Sequence, residues 1–291
     1  MLYTIENDKL RVTISDIGAE LQSIYNKQNN TEYLWQGDEK YWNGRAYNLF
    51  PICGRLYEGK YTYRGKEYEM NLHGFVRDSL MTVCEKTDNS ITFELRANDT
   101  TREQYPFEFI YKVSTILEDS KIKTVIKVEN IGDDNMYFGI GGHPGFNVPL
   151  HDNEKFDDYY LEFDCVKPAE RIICSPLFYT GKTMPYPLKD GKIIELSHSL
   201  FENDSTFLTN MCRKITLRSK VSDSFVRMEY EDFRNIGFWH APKSDAPYVC
   251  IEPWTSLPSY DGIIDDMETK NQMTKLPSGE VYSISYDIII G

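Results

Sequence analysis

Three ionisable residues stand out because each is embedded in rigid, otherwise apolar surroundings: His143 in "FGIGGHPGFNVPL", His73 in "NLHGFVRD" and Glu252 in "YVCIEPW". An imidazole, with a reference pKa of about 6.5, can hold or release a proton near neutrality. Glu252 follows a strand-like apolar run and precedes Pro253, so its side chain stands where a strand ends, next to Trp254. A carboxylate in such a place is a candidate base with a raised pKa. Together these residue types offer general acid–base chemistry. Each also has a plain structural reading: a histidine satisfying nearby carbonyls, an edge carboxylate paired to a lysine, a turn at "HGF".

The glycines around His143 first suggest phosphate binding. The dinucleotide fingerprint needs G-x-G-x-x-G leading into a helix; here Gly139, Gly141 and Gly142 run into His143 and Pro144, and the sixth position is proline. "GKT" at 181–183 resembles the end of a phosphate loop, but the glycine required five residues earlier is Pro176. A different account works. Pro144 pushes His143 into an extended conformation, and the flanking glycines let another chain or a ligand approach the backbone closely. The imidazole is then presented at a fixed angle.

A metal held by His73, His143 and Glu252 is disfavoured, because such sites usually carry close-spaced histidine pairs that this chain lacks, and no metal is expected. His151, His198 and His240 sit in polar or loop-like contexts and receive no role, although His240 in "FWHAP" could line the same cleft as Glu252.

The elements that must position these groups read as strands. "KLRVTISDI" places Leu10, Val12 and Ile14 on one face and Arg11, Thr13 and Ser15 on the other. The same period recurs in "YTYRGKEYEM", "SITFELRA", "FEFIYKVSTILEDSKIKTVIKVEN", "KITLRS", "FVRMEY", "YVCIEP" and "EVYSISYDIII", with hairpin turns at Arg64-Gly65 and Asp190-Gly191. Helical periodicity is confined to "TTREQYP" and "SLFEND", a turn or two each. With no repeat, linker or charge block, the expectation is an all-β, large antiparallel sandwich with few short helices, a single domain over residues 1–291.

Composition narrows the partners. With 41% hydrophobic and 26% charged residues the chain can bury a large core. A formal charge of -13 opposes nucleic acid and an anionic membrane surface. No signal peptide or long apolar run is evident, so a cytoplasmic location is expected. The six cysteines, Cys53, Cys84, Cys165, Cys174, Cys212 and Cys250, are scattered with no C-x-x-C pair and read as buried thiols.

Taken together, "GAELQSI", "EYLWQGD", "LFPICGRL", "LHGFVRD", "GGHPGFNVPL", "VCIEPW" and "LPSGE" resemble the aldose 1-epimerase (galactose mutarotase) superfamily, and within it the LacX-like branch. The resemblance runs from about residue 3 to residue 290 with the motifs in family order. It implies a super-sandwich that binds a sugar in an open cleft and interconverts anomers without a cofactor. It further implies His143 as general acid, Glu252 as general base, His73 as a second substrate-binding histidine and Arg55 as a sugar contact. Asp204 is the candidate for the aspartate that holds sugar hydroxyls, and Trp239 or Trp254 for a flat face against the sugar. Two rivals stand beside this reading: a hexose-6-phosphate 1-epimerase using Arg55 and Arg77, and a non-catalytic carbohydrate-binding module. The sugar itself and the oligomeric state are not legible.

Overall fold

The computed structural model describes all 291 residues. The alternating segments become the expected strands: in Leu10–Ser15, Leu10, Val12 and Ile14 are buried while Arg11 is exposed. Strands Phe109–Glu118 and Lys121–Asn130 pair antiparallel along their whole length. Arg64 and Gly65 take positive φ in the two-residue turn between the paired strands Lys60–Tyr63 and Lys66–Glu69. Asp190 and Gly191 also take positive φ, but the hairpin expected there is corrected: the flanking strands Tyr179–Tyr186 and Ile193–Glu195 lie in different sheets, and the turn is closed only by a bridge between Lys189 and Ile193. The helical content is as small as expected. One short α-helix, Asp99–Gln104, is capped by the Asn98 side chain, which accepts from the Thr101 N–H. "SLFEND" supplies a 3₁₀ turn at His198–Phe201.

Two large antiparallel sheets carry the fold. The larger has nine strands, running from Ile193–Glu195 at one edge through Tyr159–Phe163, Lys214–Ser219, Phe225–Glu229, Val281–Ile290, Lys121–Asn130, Phe109–Glu118 and Ser90–Arg96 to Thr82–Lys86. The other has seven, labelled here in chain order: β1 Ala46–Leu49, β2 Gly141–Asn147, β3 Ala169–Cys174, β4 Tyr179–Tyr186, β5 Thr206–Thr209, β6 Asn235–Trp239 and β7 Tyr248–Trp254. Their spatial order is β4-β3-β5-β6-β7-β2-β1, so β2 and β7 lie side by side inside the sheet.

A contiguous apolar core joins the two sheets. Phe146, Val249 and Ile251 from the smaller sheet and Tyr111, Ile126 and Ile284 from the larger belong to one buried cluster. Gly142 lies against the Tyr286 ring, where an added Cβ would come within 3.0 Å. The opposite face of the smaller sheet is covered too, by Trp35, Trp42 and Tyr248 on one side and by Trp254, Phe207 and Leu257 on the other. Every residue of β7 is therefore buried, and all but the last of β2. This two-sided burial explains why "YVCIEPW" reads as a nearly unbroken apolar run rather than an alternating one.

The cysteine expectation is corrected. Cys165 and Cys212 form a disulfide with a Cα–Cα distance of 6.1 Å. They flank strands Tyr159–Phe163 and Lys214–Ser219, which are neighbours in the nine-stranded sheet, and such pairing brings distant positions into bonding range. Of the rest, Cys53 and Cys250 are buried, Cys174 is half-buried and Cys84 is exposed.

Beside the cleft, Gly74 sits at φ 76°, and a Cβ there would collide with the Phe50 carbonyl. Gly74→Ala therefore combines left-handed strain with overpacking and is expected to cost about 2–4 kcal/mol of stability in chemical denaturation. A loss below about 0.5 kcal/mol would contradict this local geometry.

Candidate functional site

The strand register brings the two principal candidates together. Gly141 pairs with Trp254 and Gly145 with Cys250, which sets His143 directly opposite Glu252. Pro144 and Pro253 bracket this rung and cannot donate to the ladder. Across β2 the neighbour of His143 is Tyr47, and across β7 the neighbour of Glu252 is Gly237, itself paired with Phe207. Phe207, Gly237, Glu252, His143 and Tyr47 thus form one row across five strands. Side chains alternate along each strand: Gly142 and Phe146 face the core, while Gly141, His143 and Gly145 face outward with Tyr248, Cys250, Glu252 and Trp254.

The glycines have a concrete use. A side chain at Gly141 would meet Trp254 and Cys53, and one at Gly145 would meet Trp42 and Cys250. Glycine on both sides of His143 lets the aromatic layer close onto the backbone and leaves the imidazole standing between rings. Its centroid lies 4.9 Å from that of Trp42, 5.6 Å from Trp239 and 5.5 Å from His73.

His143 Nε2 and Glu252 Oε2 are 3.3 Å apart. Glu252 is 1% exposed and His143 7%. Burial pushes the Glu252 carboxyl well above the usual carboxylate range, and the nearby Asp204 carboxylate adds to the effect. Burial also lowers His143, to about 3, with a smaller push from the Arg77 guanidinium. Both shifts favour uncharged forms. At 3.3 Å the carboxyl and Nε2 are close enough to pass a proton between them, and burial disfavours the charged form of each. Nδ1 of His143 is buried without a hydrogen-bond partner, as is Nε1 of Trp254.

His73 is held by its own backbone. It takes a left-handed φ of 67°, its N–H donates to the Gly54 carbonyl, and its Nδ1 accepts from the Gly54 N–H at 3.1 Å. An accepting Nδ1 places the proton of the neutral ring on Nε2. Burial lowers its pKa well below the ordinary value, with the His143 and arginine charges acting in the same direction. His73 is thus a fixed neutral donor.

All seven residues singled out from the sequence line one open cleft of about 630 Å³: His143, Glu252, Arg55, His73, Arg77, Asp204 and Trp254. Asp204 reaches it from the turn after the 3₁₀ segment, at φ 77°, and accepts from Trp239 Nε1 at 2.7 Å. Arg77 lies over the Tyr47 ring and pairs with Asp78 at 3.2 Å. Arg55 and Arg171 form no ion pair. Sequence reasoning missed Arg171, Trp42 and Tyr47. Arg171 sits in "ERIIC", an ordinary strand pattern, whereas Trp42, a large aromatic in the polar stretch "YWNGR", carried a usable signal. His240 does not line the cleft. Trp239 faces it, so the next residue points away, and His240 packs on Phe156 and Phe201 with its Nδ1 bonded to the Ala241 carbonyl at 2.8 Å.

Residues 1–288 match a protein-family model described as aldose 1-epimerase. The chain is 35% identical over 300 residues to the plasmid form of protein LacX from Lactococcus lactis subsp. lactis, covering all of this chain and 99% of that one. Among solved structures, a galactose mutarotase related enzyme from Lactobacillus acidophilus superposes with a TM-score of 0.96 at 34% identity, over 100% of this chain and 97% of that one. A galactose mutarotase-like protein from Lactobacillus casei does so with 0.95 at 33%, over the full length of both.

The buried pair makes a spectroscopic prediction. In ¹⁵N-histidine spectra, the His143 ring is expected to stay neutral from pH 8 down to about 5, because burial moves its protonation towards pH 3. A protonation step near pH 6.5 assigned to His143 would contradict the geometry described.

Proposed function

Because the chain belongs to the aldose 1-epimerase family, we propose that it interconverts the α and β anomers of a hexose, residues 1–291 acting as one domain, with Glu252 and His143 as its acid–base pair. The observation that carries this reading is the rung that sets a buried carboxyl 3.3 Å from a buried imidazole at the floor of an open cleft. Mutarotation needs a proton to leave the anomeric hydroxyl while another reaches the ring oxygen. Both oxygens are bonded to the same carbon, so base and acid must converge on a target a few ångströms wide, as these two do.

Hydrogen bonds to a carboxylate favour its ionised form; the Trp254 indole acts on Glu252 in that direction, and hydroxyls of a bound sugar add further donors that make the charged arrangement reachable. The proton then lies on His143. Glu252 takes the proton from O1, the O1–H electrons form the C1=O bond, the C1–O5 bond breaks, and His143 protonates O5. Rotation about C1–C2 and the reverse steps close the ring on the other face. Ring opening returns the proton to Glu252 and leaves His143 neutral, the state that burial favours. The site thus opposes the charged reactant pair and relaxes as the ring opens. No step calls for a metal or redox cofactor. Asp204, aligned by Trp239, accepts from sugar hydroxyls, and the Trp42, Trp239 and Trp254 rings cover its C–H faces.

A specific observation favours a phosphorylated hexose as a second substrate reading. In a chain of net charge -13, three arginines, Arg55, Arg77 and Arg171, line one cleft, and only Arg77 has a carboxylate partner. Comparing anomerisation of glucose and glucose 6-phosphate by NMR exchange, in the wild type and in Arg171→Ala, distinguishes them. A phosphate contact at Arg171 predicts a raised KM for the phosphate ester alone.

Glu252→Gln and His143→Asn should each lower kcat by roughly 10²–10⁴-fold while leaving sugar binding measurable. If either variant exchanges anomers at the wild-type rate, the acid–base assignment fails and a binding module remains. The kcat–pH profile should hold through neutrality, with its acid limb below the ordinary histidine value of about 6.5, because both groups must be protonated to lose the shared-proton state.

A further inference from the structure

Cys250 neighbours the acid–base pair, and the reaction above makes no use of it. It is on the same outward face of β7 as Glu252, one pleat earlier, and diagonal to His143 across the rung. A ring nitrogen of His143, the Cys250 sulfur and a Glu252 carboxylate oxygen all lie within 4.8 Å of one another, and all three residues are buried. We propose that His143, Cys250 and Glu252 form a binding site for a thiophilic divalent cation such as Zn²⁺, whose occupation disables the acid–base pair.

The donor set fits such an ion. Nitrogen, sulfur and carboxylate oxygen are the three ligand types zinc takes, and three protein ligands with an open fourth position make a cleft-facing tetrahedral site. Zinc bonds to nitrogen and oxygen of about 2.0–2.1 Å set those two atoms about 3.3–3.4 Å apart at tetrahedral geometry. His143 Nε2 and Glu252 Oε2 are already 3.3 Å apart. The ion would sit between them, with the sulfur closing in from beneath and a water or sugar hydroxyl completing the shell from the cleft.

Charge also balances. Zn²⁺ meets two anionic ligands, the Glu252 carboxylate and the Cys250 thiolate, and the imidazole binds as a neutral ligand. The occupied site then carries no net charge, which removes the penalty that a bare cation or carboxylate would meet in this dry setting. The molecule has one other group of this kind, Asp164 with Cys165 and Cys212. Its sulfurs are joined to each other, so it does not compete for a thiophilic ion. Exposed Cys84 serves as the control thiol.

Binding by the site does not depend on the proposed reaction; its consequence for activity does. The full chain is dialysed against Zn²⁺, and separately titrated with Co²⁺ as an optical probe, for wild type, Cys250→Ser, Cys250→Ala and Cys84→Ser. One equivalent of Zn²⁺ per chain is expected in the wild type and in Cys84→Ser. Affinity should fall in both Cys250 variants by more than the roughly 10–100-fold that loss of an outer-shell partner costs. A thiolate-to-Co²⁺ absorption band should be present in the first two proteins and absent from the others. Without metal, Cys250→Ser should anomerise sugars at the wild-type rate, while Zn²⁺ stops the wild type reversibly with a chelator. Unchanged Zn²⁺ affinity in either folded Cys250 variant, or a Co²⁺ spectrum without the sulfur band, overturns the site. If Zn²⁺ binds as described but no sugar is anomerised, the site stands and the reaction falls.

Discussion

The rung that sets His143 against Glu252 places two ionisable groups where neither charge is readily solvated, and the surrounding structure can be understood from that constraint. A buried carboxylate and a buried imidazolium each lose hydration on leaving water. Held 3.3 Å apart, they are close enough for one proton to pass between them, which spares the site two separate charges. That arrangement needs a backbone that does not drift, neighbours that exclude bulk water and a ligand that supplies the missing hydrogen bonds. Two prolines bracket the rung, and an aromatic layer of Trp42, Trp239, Tyr248 and Trp254 covers the strands beside it.

His73 shows the same economy in a different form. A left-handed backbone and a hydrogen bond from the Gly54 N–H fix which ring nitrogen carries the proton. The two histidines of the cleft therefore differ in kind. The His73 Nδ1 is committed to the Gly54 N–H, whereas the His143 Nε2 faces the Glu252 carboxyl at 3.3 Å. One ring can donate only from Nε2, and the other stands beside a second titratable group. Asp204, locked by Trp239 at 2.7 Å, is an acceptor in a fixed position. Donor, acceptor and proton carrier are separated by hydrogen bonding rather than by residue type.

Much of this was legible in the chain. Strand periodicity gave the antiparallel sandwich, and the rigid settings of His73, His143 and Glu252 picked out residues that do converge on one cleft. The glycines of "GGHPGF" do admit close neighbours, but these are side chains of the same molecule, Trp42, Trp254, Cys250 and Tyr286. What could not be read is register. His143 faces Glu252 because Gly141 meets Trp254, a non-local pairing that no local pattern encodes. The Cys165–Cys212 disulfide escaped for the same reason, since only the adjacency of two strands brings those residues together. Arg171 was missed because a lone arginine in a strand looks like a solvated one, and His240 was overvalued because proximity in sequence to the cleft says nothing about which face of a strand a residue takes.

The two-sided burial of β2 and β7 has one more consequence. Sites carried on surface loops can open and close while the domain stays folded, because loops belong to the low-stability end of a structure. Here His143 and Glu252 ride on two neighbouring strands inside the seven-stranded sheet, buried but for the last residue of β2, and amides in such strands belong to the slowly exchanging part of a molecule. The centre has no cooperative unit of its own to lose. Its integrity and that of the whole domain rise and fall together, so a destabilised variant should exist as a mixture of fully competent and unfolded molecules rather than as a uniformly weakened population.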